Sequence, residues 1–162
     1  MTVNGVDASL FRQLLGRFAT GVTVLTTRGA DGLPVGMTAS SVAAVSLEPP
    51  LLLVSVDRKN VMHDALAQAS HFVVNVLAAD QEGLSRRFAT LEENRFEGVG
   101  FHTSRLGLPV LEGALAHIEC AKNAAVPAGD HTVYFGLVTG GRVTDHRPLL
   151  YYRGGYANLS GG

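Results

Sequence analysis

Gly36-Met37-Thr38-Ala39-Ser40-Ser41 sets small and hydroxylic residues side by side between two strand-like runs. Small side chains let a flat ligand approach the backbone, and Thr38, Ser40 and Ser41 add hydrogen-bonding hydroxyls without bulk. An isoalloxazine ring asks for such a surface, with an apolar face and N–H and O–H groups along its polar edge. The same composition also suits a strand edge with solvated hydroxyls, so the segment alone leaves both readings open. A phosphate asks for donors and positive charge. Asn60, at the start of a helix-like stretch, and Ser85-Arg86-Arg87 offer these, as solvated helix surfaces also would. Gly129-Asp130-His131 precedes a long strand-like run and has the composition of a turn.

Other chemistries lack their residues. The histidines (His63, His71, His102, His117, His131 and His146) show no spacing that sets two on one helical face beside a carboxylate, so no metal site is expected. No Gly-x-Ser-x-Gly elbow exists for acyl transfer. Gly98-Val99-Gly100 lacks the third glycine and the strand-turn-helix setting of a dinucleotide fingerprint, and no lysine follows a glycine loop. The single cysteine, Cys120, lies in a strand-like run and reads as a buried thiol. It allows no intrachain disulfide, which fits a reducing cytoplasm. A net charge of −1 gives no electrostatic reason to expect nucleic acid or an anionic membrane. Met1-Thr2-Val3-Asn4-Gly5 lacks a leader's basic start, and Leu51–Val56 is too short to cross a bilayer. A cytoplasmic location is expected.

The elements that must position these residues can be read from periodicity. Leu10, Phe11, Leu14, Leu15 and Phe18 recur at helical spacing over about Asp7–Ala19, with Asp7 or Ser9 as cap and Gly21 as stop. Val22–Thr27 reads as a strand, and Gly29-Ala30-Asp31-Gly32 as the turn of a hairpin returning at Val35. Ala43–Leu47 and Leu51–Val56 are strands joined through Glu48-Pro49-Pro50. Asn60 caps a helix over Val61–Ala69, Phe72–Leu77 is a strand, and Asp80 caps a helix reaching Phe88 or Ala89. Thr90–Gly113 reads as a long irregular excursion. Strands resume over Ala114–Ala121, over Thr132–Val143 with a bulge or bend at Gly140-Gly141, and over Leu149–Tyr152. Many short strands with few helices predict one mainly-β domain, a closed or nearly closed antiparallel barrel.

In order along the chain, Gly21-Val22-Thr23-Val24, Gly36–Ser41, Val45-Ser46-Leu47-Glu48-Pro49-Pro50-Leu51, Val74-Asn75-Val76-Leu77, Leu84-Ser85 with Phe88-Ala89, Gly129-Asp130-His131 and Pro148-Leu149-Leu150-Tyr151 resemble the flavin reductase-like family. These are the short reductase components of two-component flavin monooxygenases. The resemblance runs from about Leu10 to Leu159. It implies a split antiparallel β-barrel with flanking α-helices, a homodimer, and NAD(P)H-dependent reduction of FMN or FAD for a separate monooxygenase. It also implies that Thr38, Ala39, Ser40 and Ser41, following Met37, line the isoalloxazine. Ser55, Asn60, Ser85, Arg86 and Phe88, with the adjoining Ala89, are then expected at the ribityl and phosphate end. His131, with Tyr156, is expected on the nicotinamide side. Val42 stands where the family often has phenylalanine, Asn60 where serine is usual, and Lys122 where an apolar residue is common. The residues leave the choice between the two flavins, and between NADH and NADPH, open. A flavin-binding carrier or sensor on the same barrel, and a ligand-free interaction domain, are the alternative readings.

Overall fold

Alternation along β5 shows which way the sheet faces. In Pro50–Asp57 the side chains of Leu52, Val54 and Val56 are buried, while Leu51, Leu53 and Ser55 face the other way. The computed structural model describes residues 4–160, so the leaderless start read at Met1, Thr2 and Val3 lies outside the described residues. Its elements run α1 (Ala8–Leu15), β1 (Thr20–Gly21), β2 (Thr23–Arg28), β3 (Pro34–Ala39), β4 (Val42–Leu47), β5 (Pro50–Asp57), α2 (Val61–Gln68) and β6 (His71–Val76). They continue through α3 (Glu82–Phe88), β7 (Phe101–Thr103), β8 (Pro109–Leu111), β9 (Ala116–Ala128), β10 (His131–Val143), β11 (Leu149–Tyr152) and β12 (Gly155–Asn158).

The main sheet is antiparallel with strand order β3-β2-β6-β9-β10-β5-β4. One core takes side chains from strands near both ends of that order: Met37 and Ala39 of β3 meet Leu52, Val54 and Val56 of β5, with Leu25, Phe72, Val74, Cys120 and Tyr134 between them. Strands so far apart in the sheet can share a core only if the sheet rolls on itself. Ser40-Ser41 joins the two edges, where the Ser55 N–H donates to the Ser41 carbonyl at 3.2 Å and the Ser41 hydroxyl donates to the Ser55 carbonyl at 3.0 Å. No β3–β4 ladder closes the roll among the described residues, so the expected barrel is a split one. Met62, Ala65 and Leu66 of α2 are buried, and Met62 and Leu66 join the same core.

Several expected boundaries move. Helix α1 starts where Asp7 accepts from the Leu10 N–H at 2.9 Å, but stops at Leu15 instead of running to Ala19. There the Gly16 carbonyl accepts from the Arg153 N–H at 2.9 Å, and Thr20-Gly21 is drawn into a ladder with β11. Asn60 caps α2 as expected. Asp80 does not cap α3; Gln81 holds the N-cap position, and its side chain instead accepts from Ala78 N–H and donates to the Glu112 carbonyl. The excursion after Thr90 contains the β7–β8 hairpin, stapled to the barrel by Asn75, whose buried amide accepts from Leu111 N–H and donates to the Val24 carbonyl. Strand β9 runs on to Ala128, past Lys122 and Pro127, because beyond Lys122, whose N–H still donates to the Ser70 carbonyl at 2.8 Å, its ladder is with β10 alone. A register shift lies between Val138 and Gly140, as the Gly140-Gly141 pair suggested, and a second lies between Phe135 and Gly136. Gly155–Asn158, beyond the last strand expected, is a strand paired with β11.

Candidate functional site

A cleft of about 880 Å³ opens on the outer face of the barrel, within the roughly 300–1,000 Å³ that holds a drug-sized ligand. Its floor is the split itself: Ser40, Ser41, Val42 and Ala43 at the β3–β4 corner, with Leu53 and Ser55 from the outward face of β5. One wall is the β9–β10 turn, carrying Ala128, Asp130 and His131. A further wall is built from α1 (Phe11, Arg12 and Leu15, followed by Phe18), Thr20 of β1, and the β11–β12 turn with Tyr151, Arg153 and Gly154. The strand period explains the floor. Residues that alternate inward fill the core, which leaves their neighbours Leu53 and Ser55 for the cleft.

The expected site residues divide into two groups and a buried remainder. Ser40, Ser41, Ser55 and His131 line the cleft together. Thr38, Ser85, Arg86 and Tyr156 form a second cluster beside α3. There the Thr38 hydroxyl donates to the Ser85 carbonyl at 2.7 Å, and the Ser85 hydroxyl and Tyr156 phenol share a hydrogen bond of 2.7 Å. The Arg86 guanidinium sits 4.8 Å from the centre of the Tyr156 ring. Tyr156 is thus tied to Ser85 and Arg86, and it is not among the residues lining the cleft with His131. Asn60 accepts from Met62 N–H at the start of α2. Met37 and Ala39 point into the barrel core, and Ala89 ends α3 as its C-cap. Phe88 is fully buried. A Cβ added to Gly36 would lie 2.6 Å from its ring, so the glycine that opens the small-residue segment makes room for Phe88.

Charge in the cleft is unevenly spread. His131 Nδ1 lies 2.7 Å from an Asp130 carboxylate oxygen. The hydrogen bond from His131, and then its charge, hold the Asp130 carboxyl below the usual carboxylate range. A proton donated from Nδ1 leaves Nε2 available to a ligand. Arg86 is paired with Glu82 at 2.6 Å, and that hydrogen bond raises its guanidinium further above its ordinary value. Arg12 and Arg153 have no carboxylate within 4.0 Å among the described residues. The Cys120 thiol is pushed up to about 12 by burial, which fits an inert core group.

The sequence reading missed the α1 wall and the β11–β12 turn. An apolar stripe at helical spacing looks the same whether it faces a core or a ligand, and only its exposure tells them apart. No residue of α1 is buried.

By topology the molecule is a split antiparallel barrel with a cleft on its outer face. The chain belongs to the family of flavin reductase like domains, whose model matches residues 15–160. It is 41% identical over 160 residues to the reductase subunit HsaB of a flavin-dependent monooxygenase from Rhodococcus jostii, covering 98% of this chain and 82% of that one. It is 42% identical over 156 residues to the FMN reductase (NADH) SmoA of Agrobacterium fabrum, covering 96% and 88%. Among solved structures, the Streptomyces globisporus NADH:FAD oxidoreductase SgcE6, in complex with NAD and FAD fragments, superposes with a TM-score of 0.90 at 36% identity, covering 98% of both chains.

Proposed function

We propose that this chain is an NAD(P)H:flavin oxidoreductase that reduces FMN or FAD for a separate flavin-dependent monooxygenase. The observation that carries this reading is the two-sided cleft: a floor of small and hydroxylic groups at Ser40, Ser41 and Ser55 faces an apolar wall of Phe11, Leu15 and Phe18. A planar ring with one polar edge fits between them. When bound, the flavin supplies N5 as the hydride acceptor and the nicotinamide supplies hydride from C4.

The residues bind and orient. The backbone from Thr38 to Ser41, behind Met37, offers N–H groups to the polar ring edge, and the Ser40 and Ser41 hydroxyls add to it. Phe11, Leu15 and Phe18 exclude water from the ring face. His131, held by Asp130, positions the nicotinamide side, and hydride transfer needs no side-chain acid. Ser55, Asn60, Ser85 and Arg86, flanked by Phe88, Ala89 and Tyr156, take the ribityl and phosphate end. The working form is a cytoplasmic homodimer. Support for the dimer comes from α1, where Leu10 and Leu14, directed away from the cleft, are 42% and 55% exposed. Among the described residues no helix is long and apolar enough to cross a membrane.

The test is spectrophotometric. Purified protein is expected to oxidise NADH or NADPH only when FMN or FAD is added. Absence of oxidation with every pairing of the two donors and two flavins overturns the reading.

A further inference from the structure

Two arginines that line the cleft have no carboxylate within 4.0 Å among the described residues. Arg12 extends from α1, and Arg153 sits at the tip of the β11–β12 hairpin; both line the cleft and both are exposed. The fold invests in Arg153 in particular. Its backbone lies at φ +51°, followed by Gly154 at φ +80°, the two-residue turn geometry in which Asn-Gly is the preferred pair. An arginine there is a poor choice for the turn alone. The turn is also fixed to the end of α1, because the Arg153 N–H donates to the Gly16 carbonyl at 2.9 Å. Between the two arginines in chain order, Thr20 lines the same cleft, and its hydroxyl is shielded from solvent without a hydrogen-bond partner among the described residues. This wall therefore presents two free guanidinium forks, with an unpartnered hydroxyl shielded from solvent beside them. The wall at the β9–β10 turn presents Asp130, whose carboxylate repels an anion and is already engaged with His131. An anion entering the cleft is drawn to the α1 side.

We propose, on the reductase reading given above, that Arg12 and Arg153 form the subsite for the pyrophosphate of the nicotinamide dinucleotide. The forks match phosphate oxygens in pairs, as guanidinium groups do. The dinucleotide then lies across the cleft, its diphosphate on the α1 wall and its nicotinamide toward His131. The flavin phosphate goes elsewhere: Arg86, on α3, belongs to that end and does not line this cleft.

The turn supplies a clean variant. Arg153→Asn removes the cation while giving the hairpin its preferred residue, and Arg12→Gln keeps a good helix former on an exposed position. The probe is ADP-ribose, which carries the diphosphate without the nicotinamide, titrated by calorimetry with and without saturating FMN. Each substitution is expected to weaken ADP-ribose binding roughly tenfold or more and to flatten its dependence on salt. FMN affinity, read from flavin fluorescence, is expected to stay within about twofold of the unsubstituted protein, since no contact to it is removed. Arg153→Lys, which keeps the charge without the fork, is expected to fall between. Unchanged ADP-ribose binding in the double variant overturns the proposal, as does failure of the unsubstituted protein to bind ADP-ribose under either condition. A loss of FMN affinity in place of ADP-ribose affinity also overturns it, by moving the arginines to the flavin phosphate. NADH oxidation with FMN by the unsubstituted protein, measured alongside, distinguishes failure of this subsite from failure of the reductase reading.

Discussion

Helices α1 and α2 begin alike and end in opposite surroundings. Each spans eight residues. Each is started by an Asx side chain, Asp7 accepting from Leu10 N–H and Asn60 from Met62 N–H, both at 2.9 Å. Yet α2 buries Met62, Ala65 and Leu66, while α1 buries nothing and leaves Phe11, Leu14 and Leu15 more than half exposed. Local chemistry decides that a helix forms, and tertiary surroundings decide what its apolar stripe is for. One stripe fills a barrel, and the other lines a cleft and faces outward.

The sharpest way to break this contrast is to remove the same atoms from each stripe. Leu66→Ala empties a site with 0% exposure in the main core and is expected to lower unfolding free energy by about 2–5 kcal/mol. Leu14→Ala, at 55% exposure, is expected to change it by no more than about 0.5 kcal/mol at concentrations where the protein is monomeric. Urea unfolding of both variants reads the difference directly. Sedimentation of Leu14→Ala adds a second readout, because loss of apolar area outside the cleft is expected to weaken self-association. A costly Leu14→Ala in the monomer would show that α1 is packed as α2 is.

The contrast also marks where the sequence was readable. Asp7 and Asn60 were legible as helix starts because a capping side chain acts on residues two or three positions away. The barrel strands were legible because they are short β-branched runs bounded by turn residues, and Ser40, Ser41, Ser55 and His131 do meet in one cleft. The β7–β8 hairpin was not legible: its strands are three residues long and its position depends on Asn75 and Thr26, whose hydroxyl donates to the Pro109 carbonyl. Long-range pairings of that kind leave no local period. The same holds for α1's early stop, set by a hairpin tip arriving from Arg153. Tyr156 went to the α3 cluster for an equally nonlocal reason, its hydrogen bond to Ser85.

The C-terminal ends of the two helices offer a smaller test. Lys122, the third position after Val42 and Asn60 at which the resemblance implies another residue, donates from Nζ to the Leu66 and Ala67 carbonyls, both at 2.8 Å. It places a cation on the negative end of α2 and satisfies two carbonyls the helix cannot. The apolar residue common there would supply neither. Lys122→Met is expected to cost about 1 kcal/mol of global stability, less than Leu66→Ala because water can reach part of the exposed helix end. Denaturant melts at low and high salt check it, with the cost shrinking as salt rises. No difference at either salt would mean the bond is exchanged with water at no loss.

The smallest effect separates the helices at their starts. Asn60→Ala and Asp7→Ala each remove one cap bond, with an intrinsic cost of about 1 kcal/mol. For α2 the cost must appear in global unfolding, since its buried face ties the helix to the barrel and fraying its first turn loosens Met62 from the core. For α1 no buried side chain transmits the loss. Asp7→Ala is therefore expected to leave the global midpoint within error and instead to speed amide exchange over the first turn of α1, from Ala8 to Phe11. The cleft wall would then loosen where Phe11 stands, without any change in the barrel. Hydrogen exchange resolved by residue, set beside a denaturant melt, distinguishes the two. Equal global losses from both variants would show that α1 is coupled to the barrel as tightly as α2, through its bond at Gly16 and the β1–β11 ladder alone.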